Sequence, residues 1–197
     1  MSKVVIIDCG HGGIKDGVYQ TSGKRSPLWE DGTQYFEGEG NRQIGQAAAQ
    51  YLRHLDWTVL FTVDPHDATD VSLSERIKRS NNFYRENPTA FQISIHSNGF
   101  SKPSAKGYEV FTSKGQTKSD KIAKIWLEEH GKHFPQLANR GHKEANFAMN
   151  RVHCPSILIE SMFHTNPDEC KILLSREGRE KVAIGIVETC ERTYNEL

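Results

Sequence analysis

Near its start the chain reads Val4-Val5-Ile6-Ile7-Asp8-Cys9 and runs straight into Gly10-His11-Gly12-Gly13. An apolar, β-branched run without polar alternation suits a strand covered on both faces, as in the parallel sheets of α/β proteins. The run stops at an acid, and the glycines then allow a tight turn with one histidine inside it. In open α/β sheets chemistry gathers just beyond the carboxyl ends of strands. A histidine held there by residues that cannot block access is a candidate metal ligand or acid–base group. A tight turn with a surface imidazole would read the same from this segment alone.

The rest of the chain repeats the theme. Phe91-Gln92-Ile93-Ser94-Ile95-His96 reads as a second buried strand ending in a histidine, and Ser156-Ile157-Leu158-Ile159-Glu160 as a third ending in a carboxylate. Thr58–Thr62 and Gly107–Thr112 read as shorter strands. Between them, Ile44, Ala47, Ala48, Tyr51 and Leu52 recur at helical spacing from about Asn41 to Leu55. Ser72 to about Glu86 reads as a helix opened by a Ser72/Glu75 capping box. Lys118 to about His133 and Arg176 to about Asn195 complete the helices. Strands alternating with helices predict one α/β domain over 1–197: a mostly parallel, mixed sheet of about six strands with helices on both faces. Residues 14–40 are polar and glycine-rich, and a loop of that length is usually functional or mobile.

Totals narrow the function classes. The 197 residues suit one domain. Lys plus Arg and Asp plus Glu each number 25, which argues against a general nucleic-acid binder with its basic excess. No apolar run approaches the length of a membrane helix, so no membrane insertion is expected. Cys9, Cys154, Cys170 and Cys190 lack metal-site or redox spacing, and free thiols are expected. Cys9, beside His11, is either a small buried hydrophobe or a nucleophile or ligand. The start shows no signal-peptide pattern, so synthesis in a cytoplasm is expected.

Parallel strands of one sheet end on the same edge, so His11, His96 and Glu160 can meet in one cleft. Two imidazoles and a carboxylate suit zinc with an open position for water, and a further carboxylate off the metal is wanted as general base. Glu37 and Glu39, just before the first predicted helix, are the other acids on offer. Both also have the plain explanation of an acid at a helix N-terminus. Competing motifs fail: Gly10–Lys15 is not a dinucleotide fingerprint, Gly17–Lys24 misses the phosphate loop, and no Gly-x-Ser-x-Gly elbow surrounds Ser94 or Ser97. His130 and His133, late in a helix, read as a solvated face favoured by the dipole.

Taken in order, these segments resemble the zinc-dependent N-acetylmuramoyl-L-alanine amidases, the catalytic domains of bacterial autolysins and phage endolysins. The resemblance covers nearly the whole chain. It is carried by Ile7–Gly13, with Cys9 where the family usually has proline, and by Glu37 with Asn41 four residues on. Leu73, Arg76 and Asn81 extend it, as do Ser94–Asn98, Gly107–Val110 and Pro155–Asn166. The Gly23–Pro27 loop is similar to that of some phage and prophage members.

The resemblance implies His11, Glu37 and His96 as zinc ligands, with Glu39 the fallback for the carboxylate, and Glu160 as the catalytic glutamate. It implies hydrolysis of the amide between N-acetylmuramic acid and L-alanine of the stem peptide. Cell-wall degradation and cytolysis follow, with peptidoglycan as the partner and no obligate protein partner or nucleic acid expected. A zinc peptidase or deacetylase acting on another wall amide, and a catalytically inactive wall-binding module, remain the alternatives. With no export signal at the start, action on the wall after phage-style release is expected, or a trimmed piece of an exported enzyme.

Overall fold

The computed structural model describes residues 2–196. In chain order it runs β1 (Val4–Cys9), a small hairpin of β2 (Ile14–Lys15) and β3 (Val18–Tyr19), α1 (Glu37–His54), β4 (Thr58–Phe61), α2 (Leu73–Glu86) and β5 (Phe91–Asn98). Then follow β6 (Tyr108–Thr112), α3 (Lys118–His133), β7 (Asn139–Glu144), a 3-10 turn at Ala148–Asn150, β8 (Ser156–Phe163), α4 (Pro167–Leu174) and α5 (Arg176–Glu196). The main sheet has six strands in the order β4-β1-β5-β8-β6-β7. β1 pairs in parallel with β4 and β5, β5 with β8, and β6 with β7, while β6 meets β8 antiparallel. The expected mixed, mostly parallel α/β sheet is therefore the one observed.

The reversal at β6 has a simple cause. Only residues 99–107 separate it from β5, too few for the helical crossover that a parallel return needs. One edge of the sheet thus gathers the carboxyl ends of β1, β5 and β8 together with the amino ends of β6 and β7.

The two faces differ. Val5, Ile7, Ile93, Ile95, Ile157 and Ile159 point into the larger core, against Ile44, Ala48 and Leu52 of α1, Ile122 and Trp126 of α3, and Val182 and Ile186 of α5. α5 packs between α1 and α3. The opposite face carries Val4 and Ile6 under Phe83 and Tyr84 of α2. Its central positions are polar. Asp8 is fully buried and accepts hydrogen bonds from Thr62 Oγ1 and from Ser94 Oγ at 2.6 Å. Arg76 of α2 stands 3.6 Å from it. One buried carboxylate so ties β1 to the residue just after β4, to β5 and to α2, and its charge is matched by a guanidinium that is itself buried.

Most predicted elements recur with small shifts at their ends. Ser72 caps α2 by accepting from Glu75 N at 3.3 Å, while the Glu75 side chain pairs with Arg79 rather than closing the expected box. α1 begins four residues earlier than expected, at Glu37 rather than Asn41. Its first turn contains Gly38 and Gly40, poor helix formers that are required sterically: a Cβ on Gly38 would strike the Gly12 carbonyl, and one on Gly40 the Tyr35 hydroxyl.

Candidate metal centre

The turn after β1 places His11 in a conformation that side chains other than glycine rarely adopt, with φ of 66°. Such backbone persists where neighbours fix it. Here Arg42 of α1 does so, donating from Nη1 to the His11 carbonyl at 2.7 Å, and from Nε and Nη2 to the carbonyls of Asp67 and Thr69. Asn41 donates to the Gly10 carbonyl at 3.2 Å. Gly10 lies under the His96 ring, where a Cβ would collide.

The early start of α1 delivers Glu37. Its Oε1 lies 3.2 Å from His11 Nε2 and 3.1 Å from His96 Nδ1, and it also accepts from Ser97 N at 3.2 Å. The two rings meet edge to face with centroids 4.9 Å apart. One ligand atom from each of His11, Glu37 and His96 lies within 4.8 Å of the others. Donors about 2.0–2.1 Å from a tetrahedral ion stand roughly 3.3 Å from one another, close to the oxygen–nitrogen spacings seen here. His96 Nε2 is buried without a partner.

Protonation suits the same use. Burial opposes ionisation of Glu37, but hydrogen bonds and charge from the two imidazoles more than offset it, holding its carboxyl well below the usual range. Burial pushes the His96 pKa down. An ionised carboxylate and a neutral imidazole are the forms a metal ion needs. The donor set therefore fits a divalent ion of the zinc type.

Glu160 lies opposite His96 in the β5–β8 register and lines the same cleft. Its Oε2 is buried and has no partner. Burial, and then the charges of Glu37 and Glu109, raise its pKa well above that of a free carboxylate. That displacement brings a carboxyl group toward the range in which it can both take and give a proton. The cleft is an open space of about 320 Å³. Gly23, Lys24 and Arg25 of the long loop border it on one side, and Gly99–Ser101, His164 and Thr165 on another.

The structure thus gathers His11, Glu37, His96 and Glu160 at one place. It does not bring in Glu39, whose Oε1 accepts from Ile14 N and pins the hairpin. Cys9 is fully buried in the larger core, and burial, then the Asp8 charge, pushes its thiol up to about 12. It is the small hydrophobe of the two readings. All four cysteines are free.

The solvated face expected at His130 and His133 is corrected. His133 pairs with Glu188 at 2.7 Å, but His130 is fully buried, stacked on Trp126 and packed against Tyr108 and Phe134. His164 lies in the Pro155–Asn166 segment that carries the resemblance, where no role is assigned to it. Its buried ring lines the cleft, with Nδ1 3.1 Å from Ser97 Oγ and 3.0 Å from the Ser97 carbonyl.

Comparison with known proteins places this geometry. The family model described as N-acetylmuramoyl-L-alanine amidase matches residues 5–192. The chain is 28% identical over 192 residues to an uncharacterized cell wall amidase of Bacillus anthracis, covering 93% of this chain and 34% of that protein. It is 26% identical to the N-acetylmuramoyl-L-alanine amidase AmiC of Neisseria meningitidis, covering 98% of this chain and 53% of that one. The chain therefore spans about a third to a half of the length of these curated relatives. The crystal structure of N-acetylmuramoyl-L-alanine amidase from Clostridium difficile 630 superposes with a TM-score of 0.81 at 26% identity, covering 99% of this chain and 98% of that one. With its fold, its cluster of ligand-type side chains and a family match over nearly its whole length, the chain belongs to the N-acetylmuramoyl-L-alanine amidase family.

Proposed function

We propose that the chain hydrolyses the amide joining the lactyl group of N-acetylmuramic acid to L-alanine of the peptidoglycan stem peptide. In this reading His11, Glu37 and His96 hold a zinc ion and Glu160 moves the proton. The observation that supports it best is the convergence of the three ligand-type side chains within 4.8 Å beside a buried carboxyl group whose Oε2 has no partner among the described residues. Family membership supports the choice of bond.

A zinc ion in this site supplies Lewis acidity, lowering the pKa of a water toward neutrality and polarising the scissile carbonyl. The remaining work belongs to the chain. Glu160, free of any hydrogen bond at Oε2, accepts the proton of the attacking water and passes it to the leaving nitrogen, which departs as a neutral amine. Its burial, which favours the protonated form, suits it to hold that proton between the two steps. Ser97 N and the two imidazoles keep Glu37 fixed and ionised. The αL turn at His11 and the strap from Arg42 hold the first ligand before substrate arrives, so little ordering is left for the reaction itself. Peptidoglycan lies outside the cytoplasmic membrane, so the chain acts there, reached by release through a membrane lesion in the manner of phage lysis enzymes or as part of an exported enzyme.

Mass spectrometry of purified peptidoglycan, digested with and without chelator, tests the reading. Intact stem peptides with a free alanine amine, released only without chelator, are expected. Acetate or shortened peptides would replace it with a deacetylase or peptidase. About one bound zinc with no turnover would replace it with a wall-binding module.

A further inference from the structure

The cleft continues past Glu160. Asn98 and Phe100 line it and also line a second cavity, of about 360 Å³, together with Lys102, Glu109, Arg140 and Phe163. The sheet sets the direction of this extension. Glu109 is opposite Glu160 across β6 and β8, and Asn139 is opposite Tyr108 across β6 and β7. With neighbouring strands ~4.8 Å apart, the backbone of Arg140 stands two strand spacings, roughly 10 Å, from that of Glu160.

The charge of this second cavity is built around one buried acid. Glu109 accepts from Asn98 Nδ2 at 2.7 Å, from Arg140 Nε at 2.6 Å and from Lys143 Nζ at 2.5 Å. Two cations share one carboxylate, so one positive charge is left over, and exposed Lys102 adds another. Arg140 is held from three directions. Besides Glu109, its Nη1 donates to the Lys106 carbonyl at 3.3 Å, and the guanidinium lies 4.9 Å from the centre of the Phe163 ring. Among the described residues its Nη2 has no partner. A guanidinium fixed on one side and open on the other, over an aromatic floor, is a preorganised seat for a carboxylate.

We infer that this cavity is a subsite for the free carboxylate carried by the second residue of the stem peptide, on the leaving-amine side of the bond. The inference rests on the amidase reading above. That second residue is a D-glutamate joined through its γ-carboxyl, which leaves its α-carboxylate free in some walls and amidated in others. At about 3.3–3.6 Å per extended residue, this carboxylate lies roughly 6–7 Å from the scissile amide, within reach of the Arg140 side chain. An amidated wall presents a neutral group at the same place, which the leftover positive charge does not favour. The subsite thereby selects between two wall chemistries.

The test compares two muramyl tripeptides that differ only in that group, α-carboxylate or carboxamide. The zinc-loaded protein should favour the carboxylate by about tenfold in kcat/KM, mainly through KM. Arg140→Gln should bring the ratio within about twofold of unity. Lys102→Met, at an exposed position with no structural duty, should reduce it by about two- to threefold, which guards against a folding defect in the first variant. Equal use of both substrates by the parent, or an equal fall on both in Arg140→Gln, overturns the subsite. Equilibrium binding of the free peptides L-Ala-γ-D-Glu-L-Lys and L-Ala-γ-D-isoGln-L-Lys keeps the two readings apart. If the protein cuts neither muramyl peptide yet binds the carboxylate form several-fold more tightly, the amidase reading fails and the subsite stands. Equal binding removes the subsite whatever the turnover.

Discussion

Two carboxyl groups of one cleft are driven in opposite directions by their neighbours. Glu37 is held ionised by the imidazoles of His11 and His96, and Glu160 is pushed toward the protonated form by burial and by the charges of Glu37 and Glu109. Environments that push two titratable groups apart suit different duties, here the proposed ones of ligand and proton carrier. Glu160→Gln keeps the shape and removes the base. It should fold and retain metal while losing turnover by about a hundred- to ten-thousand-fold; digestion within a few-fold of the parent sinks this assignment. The ligand assignment has its own measurement. Glu37→Gln should lose most bound zinc in metal analysis, whereas Glu39→Gln should keep it, because Glu39 is committed to Ile14 N. The reverse pattern would move the ligand to Glu39.

At the scale of elements, α1 is only as useful as its first turn. Gly38 lets that turn lie against the Gly10–Gly13 loop, and a Cβ there meets the Gly12 carbonyl. On propensity alone Gly38→Ala should stabilise an exposed helix by about 1 kcal/mol. Overpacking a tight contact costs about 1–3 kcal/mol and moves Glu37 away from His11. We expect a lower urea midpoint together with weaker zinc retention; a variant more stable than the parent and fully loaded would show that the approach is not needed. The same residue shows where the sequence could be read and where it could not. Strands β1, β5 and β8 were legible because continuous apolar runs have few other uses, and their ends brought His11, His96 and Glu160 together by topology alone. Glycine propensity, however, argued against a helix at residues 37–40, since the clash that demands Gly38 lies across the fold. β7, reading Asn139-Arg140-Gly141-His142-Lys143-Glu144, was missed because an edge strand needs no apolar run. α4 was missed although Asn166 and Pro167 spell its start: the Asn166 side chain accepts from Asp168 N and Glu169 N. The long loop before α1 borders the cleft through Gly23–Arg25. Hydrogen exchange should show fast exchange across Gly17–Gly32 relative to β1 and β5; slow exchange there would make the loop a fixed wall.

For the whole molecule, His130 links the site-bearing sheet to the helical layer and makes stability depend on pH. It sits in α3 with its ring stacked on Trp126, centroids 4.6 Å apart, and against Tyr108 and Phe134 at 4.7 and 4.8 Å. Nε2 lies 3.2 Å from the Ser161 carbonyl of β8, which accepts a hydrogen bond from it, and Nδ1 is buried without a partner among the described residues. Among the described residues no acid faces the ring to repay a charge. Burial first, with a smaller push from His133, pulls its pKa from 6.5 down to about 3. The unfolded chain takes up a proton near pH 6.5 and the folded chain does not, so stability is fully present above that value. It falls as pH drops below 6.5 and continues to fall to about 3. Over the window from pH 6.5 to 5 the expected loss is about 2 kcal/mol from this residue alone. His130→Gln keeps a donor for Ser161 and cannot charge. Urea unfolding of parent and variant at pH 7 and pH 5, both stripped of metal so that ligand titration is common to the two, should show the parent losing more by about that amount. Equal losses would mean that the ring is solvated on a rapid timescale or paired in the folded state, and that the aromatic seat does not exclude the proton.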